Sequence, residues 1–206
     1  MTAPLYYRTD EENEATDALY MAARFAEQAA TDIRMWRWVI MALHNAVQGF
    51  MVLSLRHGNG LAALTEESAA AWLAAYEANA TKYPEEKLDS YLCLYKKIKS
   101  TTYGTIGGNQ NFVPRGSQGR SIRKLNRIRN DFIHFTPKGW SLELAGLPGI
   151  CLDALALLSF LGWETSNILW HDEGALKSAK SSCERLTDTM NSLNRTYASL
   201  TGRGDR

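Results

Sequence analysis

The sequence predicts an all-α fold, and three observations point there. Only five prolines occur, and none falls between Leu5 and Tyr83, so over that stretch nothing removes a helical backbone donor. Apolar residues recur at spacings of three and four, the period of one helix face. No alternating apolar–polar run, hairpin signal or internal repeat appears. At about 100–200 residues per domain, 206 residues read as a single domain, 1–206, long enough to bury a core without staples. With 45% hydrophobic and 22% charged residues, the composition excludes a wholly disordered or fibrous chain.

The first helix is expected over Glu11 to Ala30, which is alanine-rich. Thr31 or Asp32 suits the cap of the next. There Ile33, Trp36, Ile40, Leu43, Val47, Phe50 and Ser54 form one apolar stripe, and the helix ends near Gly58. Thr65 caps a third helix running to Ala80, with Glu66 and Glu67 in its first turn. Pro84 suits the first position of a fourth, with Glu85 and Glu86 at its start and Lys96, Lys97 and Lys99 at its end. Residues 100–119 hold five glycines and read as a loop. Further helices are expected from Arg120 to Phe135, from Pro148 to Trp170 and from Glu173 to Leu200. The tail TGRGDR is expected to fray.

The net charge of +1 hides an uneven distribution. Residues 1–90 carry seven Lys/Arg against thirteen Asp/Glu. Residues 91–138 carry ten Lys/Arg against Asp131 alone, and residues 139–206 carry six against eight. A dense block of one sign has two readings: a surface for a polyanion, or a patch facing the chain's own acidic third. Cys93, Cys151 and Cys183 are odd in number and widely spaced, which excludes a disulfide framework and a cysteine zinc site; no metal site and no cofactor are expected. The N-terminal MTAPLYYRTDEENEATD is polar and acidic, unlike a secretory leader. The most apolar run, Gly149 to Trp163, is shorter than the roughly 20 residues that cross a bilayer, so a cytoplasmic protein without membrane contact is expected.

The segment RSIRKLNRIRNDFIHF, residues 120–135, carries the most information. On a helix Ile122, Leu125, Ile128, Phe132 and Phe135 fall on one side. Arg120, Arg123, Arg127, Asn130 and His134 form a stripe opposite. With Lys124 and the loop residue Arg115, that stripe offers charge-assisted, often bidentate contacts to phosphates. A solvated helix face is the plain alternative. His134 at the end of the stripe, one turn after Asn130, adds a group that trades protons near neutral pH.

Arg129-Asn130-Asp131-Phe132-Ile133-His134 resembles the RNxxxH form of the Rx4–6H motif of HEPN domains. The resemblance covers residues 32–170, with only the hexapeptide specific. It implies an antiparallel helical bundle in which the helices at 11–30 and 173–200 are additions. It also implies a metal-independent endoribonuclease acting as a toxin or defence effector. Arg129, Asn130 and His134 would be catalytic and RNA the substrate. A homodimer would bring two motifs together in a composite site, and a protein antitoxin would be the partner in the toxin branch. In the implied chemistry His134 takes the 2′-OH proton or protonates the leaving 5′-oxygen. Arg129 stabilises charge on the phosphorane, and Asn130 orients His134 or a phosphate oxygen.

On a regular helix Arg129 lies about 140° from His134. Either the helix loosens before His134, or the two residues serve different halves of a composite site. Arg127 also satisfies the motif and lies within about 20° of His134; the Asn after Arg129 puts Arg129 first. A bundle that binds RNA, nucleotides or a partner without cleaving remains the alternative. His44 reads as a core or interface histidine, His57 as a helix end and His171 as a surface residue. The loop TYGTIGGNQNFVPRGSQGR lacks the G-K-[ST] ending of a phosphate-binding loop. Its Tyr103 and Phe112 either stack on bases or pack in the core. Trp36 and Trp38 cannot share a helix face, so one is left for a dimer surface.

Overall fold

The computed structural model describes residues 5–56, 59–104, 109–134 and 139–201. His57, Phe135 and the turn residues Thr136 to Lys138 lie outside these, as does the tail from residue 202. Eight α-helices run through the described residues: α1 (Glu11–Ala29), α2 (Trp36–Leu55), α3 (Glu66–Glu77), α4 (Tyr91–Ile98), α5 (Thr101–Gly104), α6 (Gln118–Ile133), α7 (Leu147–Ser159) and α8 (Glu173–Thr201). No strand is present among them; a single antiparallel bridge joins Leu64 to Leu88. The fold is an all-α helical bundle.

Helix α2 is the axis. It packs against α1, α4, α6 and α7, while α8 closes the bundle against α1 and α7. Trp36, Ile40, Leu43, Val47, Phe50 and Ser54 are buried, as their spacing requires. Ile33 is not: it sits 65% exposed in the 3-10 turn Ile33–Met35, where the α-helical period has not begun. Asp32 caps that turn by accepting from the Arg34 amide. Ile33–Leu55 and Leu147–Glu164 are long and apolar enough to cross a membrane by length and composition; they are 67% and 56% buried inside the bundle, whose core they form.

The α1–α2 crossing depends on Gly49. A Cβ there would sit 2.6 Å from Ala15 Cβ on α1. Alanine in place of glycine inside a helix ordinarily stabilises by about 0.5–1 kcal/mol. Here overpacking reverses the sign, and Gly49→Ala is expected to cost about 1–3 kcal/mol in a urea titration.

Two expected boundaries are corrected. No helix starts at Pro84. Residues 84–90 run non-helically because Lys87 is held on both sides: its amide donates to Ser68 Oγ at 3.0 Å and its carbonyl accepts from the Thr65 amide at 2.9 Å. The Asp89 amide then bonds the Ala63 carbonyl, and α4 starts at Tyr91, capped by Ser90, whose Oγ accepts from the Cys93 amide. The helix opened by Leu147-Pro148 likewise stops short of Trp170. It widens into a π turn at Phe160–Glu164, where Gly162 lies against Phe50 and gives its carbonyl to Trp170 Nε1 at 2.7 Å. Thr165 Oγ1 donates to the Phe160 carbonyl at 2.7 Å and the chain turns extended. Within the loop at 100–119, the short α5 and Phe112 carry side chains into the core: Tyr103 and Phe112 are both buried, so packing is their role.

Candidate functional site

Helix α6 carries the motif. Ser117 Oγ and Ser121 Oγ donate to Asp153 Oδ2 of α7 at 2.7 and 2.6 Å, fixing the start of the helix. Ile122, Leu125 and Ile128 are buried and Phe132 is half-buried against Trp140, so the apolar face anchors it. The opposite face is left to solvent. Arg120, Arg123, Arg127 and His134 are exposed, Lys124 and Asn130 half-buried, and Arg115 exposed in the preceding loop. Among the described residues no ion pair links any of these cations to the acidic N-terminal third. The carboxylates of that third that do pair meet Arg34, Arg56, Lys97 and Arg185.

The helix does not loosen before His134. It stays α-helical to Ile133, and His134 is its C-cap, with φ −92 and ψ 85 and its amide bonded to the Asn130 carbonyl at 2.9 Å. Arg129 accordingly faces elsewhere. It is half-buried, and its Nη1 donates to Asn130 Oδ1 at 3.0 Å. Arg129 lines two adjoining cavities, neither of which His134 borders. One, of about 780 Å³, includes Asp10, Glu11, Glu14, Asn45 and Gln48 in its wall. The other, of about 280 Å³, lies between α2, α4 and α6. A single chain therefore brings Arg129 and Asn130 together and leaves His134 apart from Arg129.

The smaller cavity holds groups that sequence reading missed. His44 of α2 is buried, as its apolar neighbours suggest, and it packs against α4 and α6. It stacks on Tyr91 with ring centroids 4.0 Å apart, and its Nε2 meets Asn126 Oδ1 at 3.0 Å. Its Nδ1 and the Tyr91 hydroxyl have no hydrogen-bond partner among the described residues, though both are buried. An unsatisfied buried polar atom costs about 1–3 kcal/mol. Asn126 lies four residues before Asn130, and its amide reads in sequence as one more polar position of a charged helix. A second missed residue is Arg37, half-buried over the Trp38 ring, whose Nη2 reaches the Phe132 carbonyl at 3.5 Å near the α6 C-terminus. Trp38 itself is 42% exposed while Trp36 is buried, which leaves Trp38 on the surface. His171 is exposed, its backbone amide bonded to Glu12 Oε1 at 3.0 Å.

Burial lowers the His44 pKa from 6.5 to about 4; the Asn126 bond opposes the shift and the Arg129 charge adds to it. The ring is neutral at pH 7. Between the two values the unfolded chain binds a proton that the folded one refuses, so stability is full above about pH 6.5 and is lost as pH falls toward 4. The expected loss is about 3 kcal/mol, read as the difference between urea titrations at the two ends of that window. His44→Asn, which does not titrate there, is expected to flatten the difference.

Comparison of the chain with family models, curated proteins and solved structures returned no match.

Proposed function

We propose that the protein is a HEPN-type, metal-independent endoribonuclease, a toxin or defence effector acting on RNA in the cytoplasm as a homodimer. One observation carries the reading most directly. Helix α6 presents Arg120, Arg123 and Arg127 to solvent without ion pairs to described residues, in line with an exposed His134 and beside the Arg129–Asn130 pair. Unpaired arginines along one helix face suit a polyphosphate strand.

The chemistry follows from the groups. His134 accepts the proton of a ribose 2′-OH, whose oxygen attacks the adjacent phosphorus. Arg129 of the facing copy, held by Asn130, meets the negative charge that grows on the phosphorane oxygens. The bond from phosphorus to the 5′-oxygen breaks, that oxygen takes a proton from solvent water, and His134 returns the proton it accepted to solvent. The products are a 2′,3′-cyclic phosphate and a 5′-hydroxyl.

The test is incubation of purified protein with mixed RNA in excess EDTA, followed by end-group analysis. Fragments ending in 2′,3′-cyclic phosphate and starting with 5′-hydroxyl are expected. Cleavage that requires a divalent ion, or that leaves 5′-phosphates, overturns the reading. Salt-sensitive RNA binding without cleavage establishes the non-catalytic binder instead.

A further inference from the structure

The smaller cavity is built for something the phosphate track does not use. Two of its wall residues are more than nine-tenths buried, yet each keeps a polar atom without a partner among the described residues: His44, 1% exposed, at Nδ1, and Tyr91, 6% exposed, at its hydroxyl. The His44 Nε2 contact with the Asn126 carbonyl oxygen makes Nε2 the protonated nitrogen, so a neutral ring leaves Nδ1 as a bare acceptor. Gln48 and the Asn126 amide nitrogen add donors, and Arg129 adds those that its bond to Asn130 leaves over. The cavity, of about 280 Å³, opens beside Arg129, the residue assigned to the phosphorane.

We infer that this cavity between α2, α4 and α6 takes an unstacked RNA base next to the cleaved phosphate, and that Gln48, Tyr91 and Asn126 read its edge. The inference rests on the ribonuclease reading for the RNA itself; the pocket's chemistry stands apart from it. A base is flat and uncharged, with donors and acceptors fixed along one edge, and a site of amides, a hydroxyl and a neutral imidazole matches that pattern. A phosphate matches it poorly. Among the described residues Arg129 is the only cation in the wall, and it is already bonded to Asn130 and assigned to the phosphorane outside the cavity. A base seated in the cavity sets its edge against these polar side chains, and a base with the wrong edge leaves buried polar groups unpaired. That difference is what gives a hydrogen-bonding site its selectivity.

Direct binding tests the pocket without relying on catalysis. The full-length protein is titrated with adenosine, guanosine, cytidine and uridine, and separately with inorganic phosphate, while side-chain amide signals are followed by NMR. One ribonucleoside is expected to bind at least about tenfold more tightly than the weakest. Tyr91→Phe keeps the ring stacked on His44 and removes only the hydroxyl; Gln48→Ala changes a half-buried position on α2. Each is expected to weaken the preferred ribonucleoside about tenfold and to flatten the ranking, with an unchanged thermal melt as the folding control. Equal affinity for all four, no binding, or phosphate displacing the bound ribonucleoside overturns the inference. If wild-type protein ranks the ribonucleosides but cleaves no RNA, the nuclease reading falls and the pocket stands. If it cleaves RNA without ranking them, the reverse holds.

Discussion

Replacing His134 by alanine is expected to lower RNA cleavage by about 10²–10⁴-fold, the usual worth of a positioned proton-transfer group. The thermal melt is expected to stay put. His134 is exposed at the α6 C-cap, and what it gives the fold is its backbone amide bond to Asn130, which alanine keeps. Surface substitutions of this kind stay within about 0.5 kcal/mol. Arg129→Ala makes a sharper comparison, because Arg129 is half-buried and bonds Asn130. On the proposed mechanism the substitution is expected to lower cleavage by about 10²–10³-fold, the usual worth of an oxyanion-type contact. A His134→Ala protein that cleaves like wild type removes His134 from the chemistry.

The largest expected effect on stability is at Phe50. Its ring is fully buried on α2 and meets Trp163 and Trp170 edge-on, with centroids 6.2 and 5.8 Å away. It also fills the space that Gly162 leaves in the π turn, where a Cβ would lie 2.8 Å from Phe50 Cε1. Phe50→Ala removes one ring and two aromatic contacts and leaves a cavity that a glycine cannot fill. The expected cost is about 3–5 kcal/mol in a urea titration, a large share of the 5–15 kcal/mol that holds a typical domain together. A loss below about 1 kcal/mol shows that the π turn collapses onto the void.

Much of the fold was legible because it is local. The stripe from Trp36 to Ser54 is buried as spaced, Thr65 caps α3, and the start of α8 falls at Glu173. The departures come from contacts between distant positions. Pro84 with two following glutamates reads as a helix start by every local rule, yet bonds from Ser68, Thr65 and Ala63 hold residues 87–89 outside any helix. The helix after Pro148 stops where Gly162 must accommodate Phe50, more than a hundred residues away in sequence.

The candidate site divides the same way. The exposed arginines of α6 and the angle between Arg129 and His134 follow from helical period, and Arg129 does face away from His134. The His44–Tyr91 stack and the His44–Asn126 bond join three helices, the latter across 82 residues. No spacing rule on one helix announces them. His44 read as core because its own neighbours are apolar. What it faces belongs to α4 and α6.

The separation of Arg129 from His134 makes the central claim testable by mixing two inactive proteins. Arg129→Ala and His134→Ala chains are unfolded together, refolded and assayed on RNA in EDTA. If each site takes Arg129 from one copy and His134 from the other, heterodimers contain one complete site, and the mixture regains about a quarter of wild-type cleavage. Activity that stays at the level of the separate variants, in a mixture shown to contain heterodimers, contradicts the composite site.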